Sequence, residues 1–114
     1  MSRLSPTWFR PQTQPDPENV VEFHLRPLTM AVLLDVRATW RDSSPSGEGF
    51  ALAMRSCVIG WKNIKENGAL VEFSVRALDD IIEAPTLTET VWAHELVFDL
   101  LAKVTLTEAE RKNS

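Results

Sequence analysis

Two histidines, one cysteine and one acidic doublet are the residues whose types could support chemistry in this 114-residue chain. A zinc site needs three or four ligands drawn together, with pairs at short, fixed spacing. His24 and His94 are far apart in sequence, and neither belongs to an H-x-x-x-H pair. Glu95 follows His94 directly, and adjacent helical residues point about 100° apart. Nothing nearby supplies the missing ligands, so no metal is expected. Cys57 could be a nucleophile with a distant histidine as its base. It stands between Met54 and Trp61 at an apolar helical position, where a thiol behaves as a small hydrophobe. Asp79 and Asp80 diverge on a helix and cannot share a proton as a catalytic dyad. No P-loop, dinucleotide-binding glycine fingerprint or G-x-S-x-G is present, and four glycines in all leave little scope for cradling phosphate. The expectation is a protein without catalytic residues and without cofactors.

Charge narrows the partners. The formal net charge is −4. Basic and acidic residues number five and five over 1–47, four and six over 48–83, and three and five over 84–114. Nucleic-acid binding by counterion release needs an excess of Lys and Arg, which no segment has. No apolar run is long enough to span a bilayer, and the N-terminus has no signal-peptide pattern. A single cysteine excludes an internal disulfide and suits a reducing compartment. The expected partners are therefore proteins, with no nucleic acid and no membrane, and the expected location is cytoplasmic. Four Trp and five Phe, with no Tyr, supply the apolar contact area.

The elements that position these residues begin after an arm. Residues 1–19 contain Pro6, Pro11, Pro15 and Pro17, which predicts an extended or flexible N-terminal arm. Trp8 and Phe9 lie within it, either anchoring the arm to its own domain or docking on a partner. Residues 20–26 alternate with period two: Val21, Phe23 and Leu25 on one face, Glu22, His24 and Arg26 on the other, a short half-buried strand ended by Pro27. Thr29 caps a helix over Met30 to Trp40, carrying Leu33, Val36 and Trp40 on one side. A Ser-, Pro- and Gly-rich loop over 42–49 leads to a second helix from Phe50 to Ile59, with Gly60 as its C-cap.

Asn67-Gly68 is a turn signal. The run Leu70 to Phe73 is expected to pair with the first strand in a minimal two-stranded element. Ser74 caps a third helix with Val75, Leu78, Ile81 and Ile82 on one face, ended by Pro85. Thr86 and Glu89 form a capping box for a fourth helix from Leu87 to Lys103. Its apolar arc, from Leu87 and Val91 through Leu96 and Phe98 to Val104, is too broad for one packing partner unless the helix is central. It is therefore either buried in the core or bound on its second side. A further capping box at Thr107–Glu110 suggests a short frayed turn. The fold class expected is mainly α: a small four-helix domain with a short two-stranded β element and an extended Pro-rich N-terminal arm. Its divisions are 1–19 as arm, 20–106 as a single helical domain and 107–114 as a frayed tail.

The order of motifs carries a resemblance. Phe23-His24-Leu25-Arg26-Pro27-Leu28-Thr29 leads into a helix, Val58-Ile59-Gly60-Trp61 closes the second, and Asn67-Gly68 and Phe73-Ser74 follow. Over Phe23 to Ile82 this resembles the tail assembly chaperones of long-tailed bacteriophages and prophages. The arm lies outside the resemblance, and the last helix matches only as a further helix. The resemblance implies a small helical, non-catalytic protein that binds the long, hydrophobic tape measure protein in the host cytoplasm and helps recruit tail tube subunits. It brings no catalytic residues and no cofactors, and self-association into coils or rings is compatible with it. Trp8, Phe9, Trp40 and Trp92 are the candidate partner-binding residues, because aromatic side chains anchor interfaces. Two alternatives stand beside this reading. A structural tail component, such as a completion or connector protein, would use the Pro-rich arm to wrap a neighbour. A small inhibitor of a host protein would need one contiguous acidic patch.

Overall fold

The structure, a computed structural model, describes the backbone of residues 5–40 and 47–112, with side chains through Val104. Strand β1 (Thr7–Phe9), strand β2 (Glu22–Leu25), helix α1 (Met30–Ala38) and helix α2 (Gly47–Cys57) come first. Strands β3 (Val58–Lys62), β4 (Lys65–Glu66) and β5 (Ala69–Leu70) follow, then helices α3 (Val75–Glu83) and α4 (Leu87–Lys112). Most of the loop expected at 42–49 lies outside the described residues.

The architecture is α+β, which corrects the mainly α expectation. A three-stranded antiparallel sheet in the order β1-β2-β3 forms one layer, four helices cover its inner face, and β4-β5 is a separate hairpin. The two-stranded element expected from Leu70 to Phe73 does not join β2. Ala69–Leu70 instead pairs back on Lys65–Glu66. Between them Asn67 and Gly68 both have positive φ, 52° and 81°, as a two-residue hairpin turn requires.

The partner of β2 on one side is the segment expected to end the second helix. Val58, Ile59 and Trp61 are β-branched or aromatic and favour a pleated surface. Phe23 lies opposite Trp61 and His24 opposite Gly60, and the register shifts so that Leu25 faces Val58. Ile59 is thereby the extra residue, turned outward, while Val58 stays buried. Gly60 is therefore not a left-handed helix cap. Its lack of a side chain admits His24, whose Cβ would sit 3.3 Å from a Cβ at position 60.

The Pro-rich arm is extended, and of its two expected placements it takes the one on its own domain. Its Thr7–Phe9 is an edge strand, with Trp8 opposite His24 and Phe9 opposite Phe23. The return segment is fastened rather than loose. Gln14 donates from Nε2 to the carbonyls of Pro11 and Val21 and accepts from the Val21 amide. Asn63 Nδ2 donates to Val20 O, the Gln12 amide donates to Glu95 Oε1, and the Trp92 indole donates to Thr13 O. Pro11 itself is fully buried. The prolines shape the segment and do not free it, since polar side chains satisfy the backbone groups that a sheet ladder would otherwise take.

Alternation places Val21, Phe23 and Leu25 inward, where they meet Leu33 and Val36 of α1, Met54 and Cys57 of α2, Leu78 of α3, and Trp92, Leu96 and Leu100 of α4. The helix starts follow the capping residues. Thr29 accepts from the Val32 amide, Ser74 from the Ala77 amide, and Thr86 and Glu89 exchange hydrogen bonds reciprocally. Helix α4 continues through Thr107–Glu110 to Lys112, so no second start occurs there. Among the described residues, no helix is long and apolar enough to cross a membrane.

Candidate functional site

The chemically capable residues are dispersed. His24 lies on the outer face of the sheet, its ring stacked on Trp8 at 4.4 Å and 7°. His94 lies on α4 against Phe50. Among the described residues no cluster of His, Cys, Asp and Glu could hold a metal ion. Asp79 is engaged by Arg55, which also reaches Glu83 across the α2–α3 seam at 2.9 Å. Those two carboxylates hold the Arg55 guanidinium more firmly protonated than usual.

Cys57 is 1% exposed, and burial pushes its thiol up to about 11, with nearby Arg26 pulling weakly the other way. The thiolate is the reactive form. Native protein should therefore leave the thiol untouched by a disulfide reagent at pH 8, with complete reaction after unfolding in urea. Rapid labelling of the native state would mean that the junction of α2 and β3 opens.

The four aromatics expected at a partner surface do not converge. Trp8 is 44% exposed, with Lys62 Nζ 4.2 Å from its ring centroid, so it is occupied within its own sheet. Phe9 and Trp40 are half-buried against the core. Trp92 is buried, edge-on to Phe23 at 5.8 Å, and belongs to the core.

The exposed apolar surface lies elsewhere, on α4 and the groove beside it. The broad arc of α4 divides in two. Trp92, Leu96, Val97 and Leu100 face the core, while Leu87, Val91 and Phe98 are exposed on the opposite side. Beside that stripe, α2, α3 and α4 enclose an open groove with a cavity volume of about 230 Å³. Phe50, Ala51 and Met54 form one wall, Ile81 and Ile82 the second, and Ala93 and His94 the third. Phe50 joins groove to stripe, with its ring 4.6 Å from His94 and 6.0 Å from Phe98. His94 Nδ1 donates to Thr90 O at 2.9 Å, because a carbonyl can only accept.

Such a surface can receive apolar side chains, with Glu89, Thr90 and His94 as the polar members of the lining. Sequence reasoning missed Phe50, His94 and Phe98 as its members, although the excess breadth of the α4 arc was the signal for them. No protein-family model, curated protein or solved structure matches this chain. Its functional reading rests on this surface and on the motif resemblance over Phe23 to Ile82.

Proposed function

We propose that this protein is a non-catalytic chaperone of bacteriophage tail assembly, acting in the bacterial host cytoplasm. It binds the tape measure protein and assists the recruitment of tail tube subunits. The observation that supports this best is the apolar side of α4, where Leu87, Val91 and Phe98 stay exposed among the described residues beside the groove. A holdase must offer apolar area to a client while staying dispersed itself. Interspersed charge summing to −4 favours dispersion. Exposed apolar patches of this kind mark protein-binding sites more often than chance surface. A host-protein inhibitor working through one acidic patch fits less well, because the exposed groove and stripe are lined mostly by apolar side chains. A structural tail component used its Pro-rich arm as its argument, and that arm is folded onto its own sheet.

Co-expression with a tape measure protein tests the reading. The expected result is that the partner shifts from the pellet to the soluble fraction and co-purifies with this chain. If the partner stays insoluble while this chain is folded and abundant, the chaperone reading fails and a structural tail component takes its place.

A further inference from the structure

We propose that two copies of this chain pair through the free edges of their β1 strands, antiparallel and centred on Trp8. The product is one continuous sheet in the order β3-β2-β1-β1-β2-β3 across a two-fold axis. This pairing uses neither α4 nor the groove beside it, so it stands apart from the client-binding reading.

The direction of each backbone group on β1 follows from β2. Arg26 donates its amide to the Cys57 carbonyl at 2.9 Å, and the Val20 carbonyl accepts from Asn63 on the same side. Even-numbered residues of β2 and its flanks thus turn their backbone groups toward β3. Val21 gives its amide to Gln14 Oε1, and its carbonyl accepts from Gln14 Nε2. Odd-numbered residues therefore turn toward the N-terminal segment, as the alternation of an antiparallel ladder requires. Phe23 and Leu25 stand opposite Phe9 and Thr7, so those two residues of β1 direct their amides and carbonyls to β2. Trp8, between them, points its N–H and C=O outward. The same alternation turns the Pro6 carbonyl and the Arg10 amide outward as well. Among the described residues no strand pairs with β1 on that edge, and Pro6, Thr7, Trp8 and Arg10 are exposed.

This edge complements itself. Under a two-fold centred on Trp8, its amide meets the Trp8 carbonyl of the second copy, and the reverse bond forms by symmetry. Pro6 supplies an acceptor and no donor. It comes opposite Arg10 of the second copy, whose amide is the matching donor. A shift of two residues either way calls on the Gln12 amide, already donated to Glu95, or on an amide that Pro6 lacks. A shift of one calls on Thr7 and Phe9, already bonded to β2. The two Arg10 residues lie at opposite ends of the pair, roughly 14 Å apart along the strands and beyond the screening length of about 8 Å at physiological salt. Pro11 keeps the ladder short. The contact is therefore small beside the roughly 1,200–2,000 Å² of stable interfaces, and the dimer is reversible and concentration-dependent.

Full chains carrying Pro6→Cys or Arg10→Cys, one of them mass-tagged, test the register. Cys57 is 1% exposed and stays in place. Residues opposite each other in such a ladder have Cα atoms about 5.5 Å apart, within disulfide reach. In a thiol–disulfide buffer the mixed disulfide between the two variants should form about tenfold or more faster than either variant's own. Equal rates for all three disulfides, with both variants melting as wild type does, overturn the proposal. Sedimentation equilibrium of the full chain gives a second reading. Trp8→Pro removes the central amide yet spares its own sheet, because that amide faces outward. Trp8→Ala keeps the amide. The proline variant should dimerise about tenfold or more weakly than the alanine variant. A wild type that stays monomeric at about millimolar concentration, or equal association by the two variants, overturns the proposal.

Discussion

Phe23→Ala is expected to destabilise the fold by about 3–5 kcal/mol, the range for deleting a buried aromatic ring. Folding stability for domains of this size is about 5–15 kcal/mol, so much of the margin would go. Phe23 is 3% exposed and joins the rings of two other elements in the core. Its ring meets Trp61 of β3 edge-on at 6.5 Å and 87°, and Trp92 of α4 at 5.8 Å and 67°. Phe9 of β1 is its cross-strand neighbour. Truncation therefore loosens the sheet and its contact with α4 together, and the rigid strand beneath cannot collapse into the space. A urea titration monitored by tryptophan fluorescence reads the change in midpoint. A loss under about 1 kcal/mol would contradict the packing of α4 on the sheet.

Phe98→Gln is expected to do the opposite: leave the fold and weaken the proposed partner binding. Phe98 is 51% exposed, so its transfer to a polar residue costs little, and Gln is a good helix former. Stability should move by no more than about 1 kcal/mol, most of it from the edge contact with Phe50 at 6.0 Å. Partner affinity should fall by about thirtyfold, corresponding to roughly 2 kcal/mol for an interface anchor. Circular dichroism melts and the co-purifying fraction of the partner report the two effects separately. Undiminished co-purification would remove the α4 stripe from the binding surface.

Local signals in the sequence were the most legible. The alternation of residues 20–26, the caps Thr29, Ser74 and Thr86, and the Asn67-Gly68 turn each involve contacts within a few residues, and each forms as expected. What was not legible depends on partners distant in the chain. Val58-Ile59-Gly60-Trp61 continues a helical spacing from Phe50, and only pairing with β2 makes it a strand. The prolines around Thr7–Phe9 signal extended backbone without saying what it lies against, and the answer is β2. The same limit applied to the site. The arc of α4 showed that its apolar area exceeds one contact, yet which half is exposed follows from where the sheet sits. Trp residues were favoured over Phe98 and Phe50 as contact candidates on residue type alone. Residue type does not reveal that Trp92 plugs the core through a hydrogen bond to Thr13.

That last contact bears on the order in which the molecule can be completed during synthesis. Thr13 and Gln12 are made early, whereas their hydrogen-bond partners Trp92, which donates, and Glu95, which accepts, are made about 80 residues later. Until α4 emerges, the nascent β-sheet has its inner face uncovered around Phe23 and Trp61, and the N-terminal segment has no helix to lie against. Contacts this remote slow the final closure, because a long loop must be ordered before they form. The aromatic centre around Phe23 and Trp61 is therefore the last part of the core to be covered, because Trp92 belongs to the last helix.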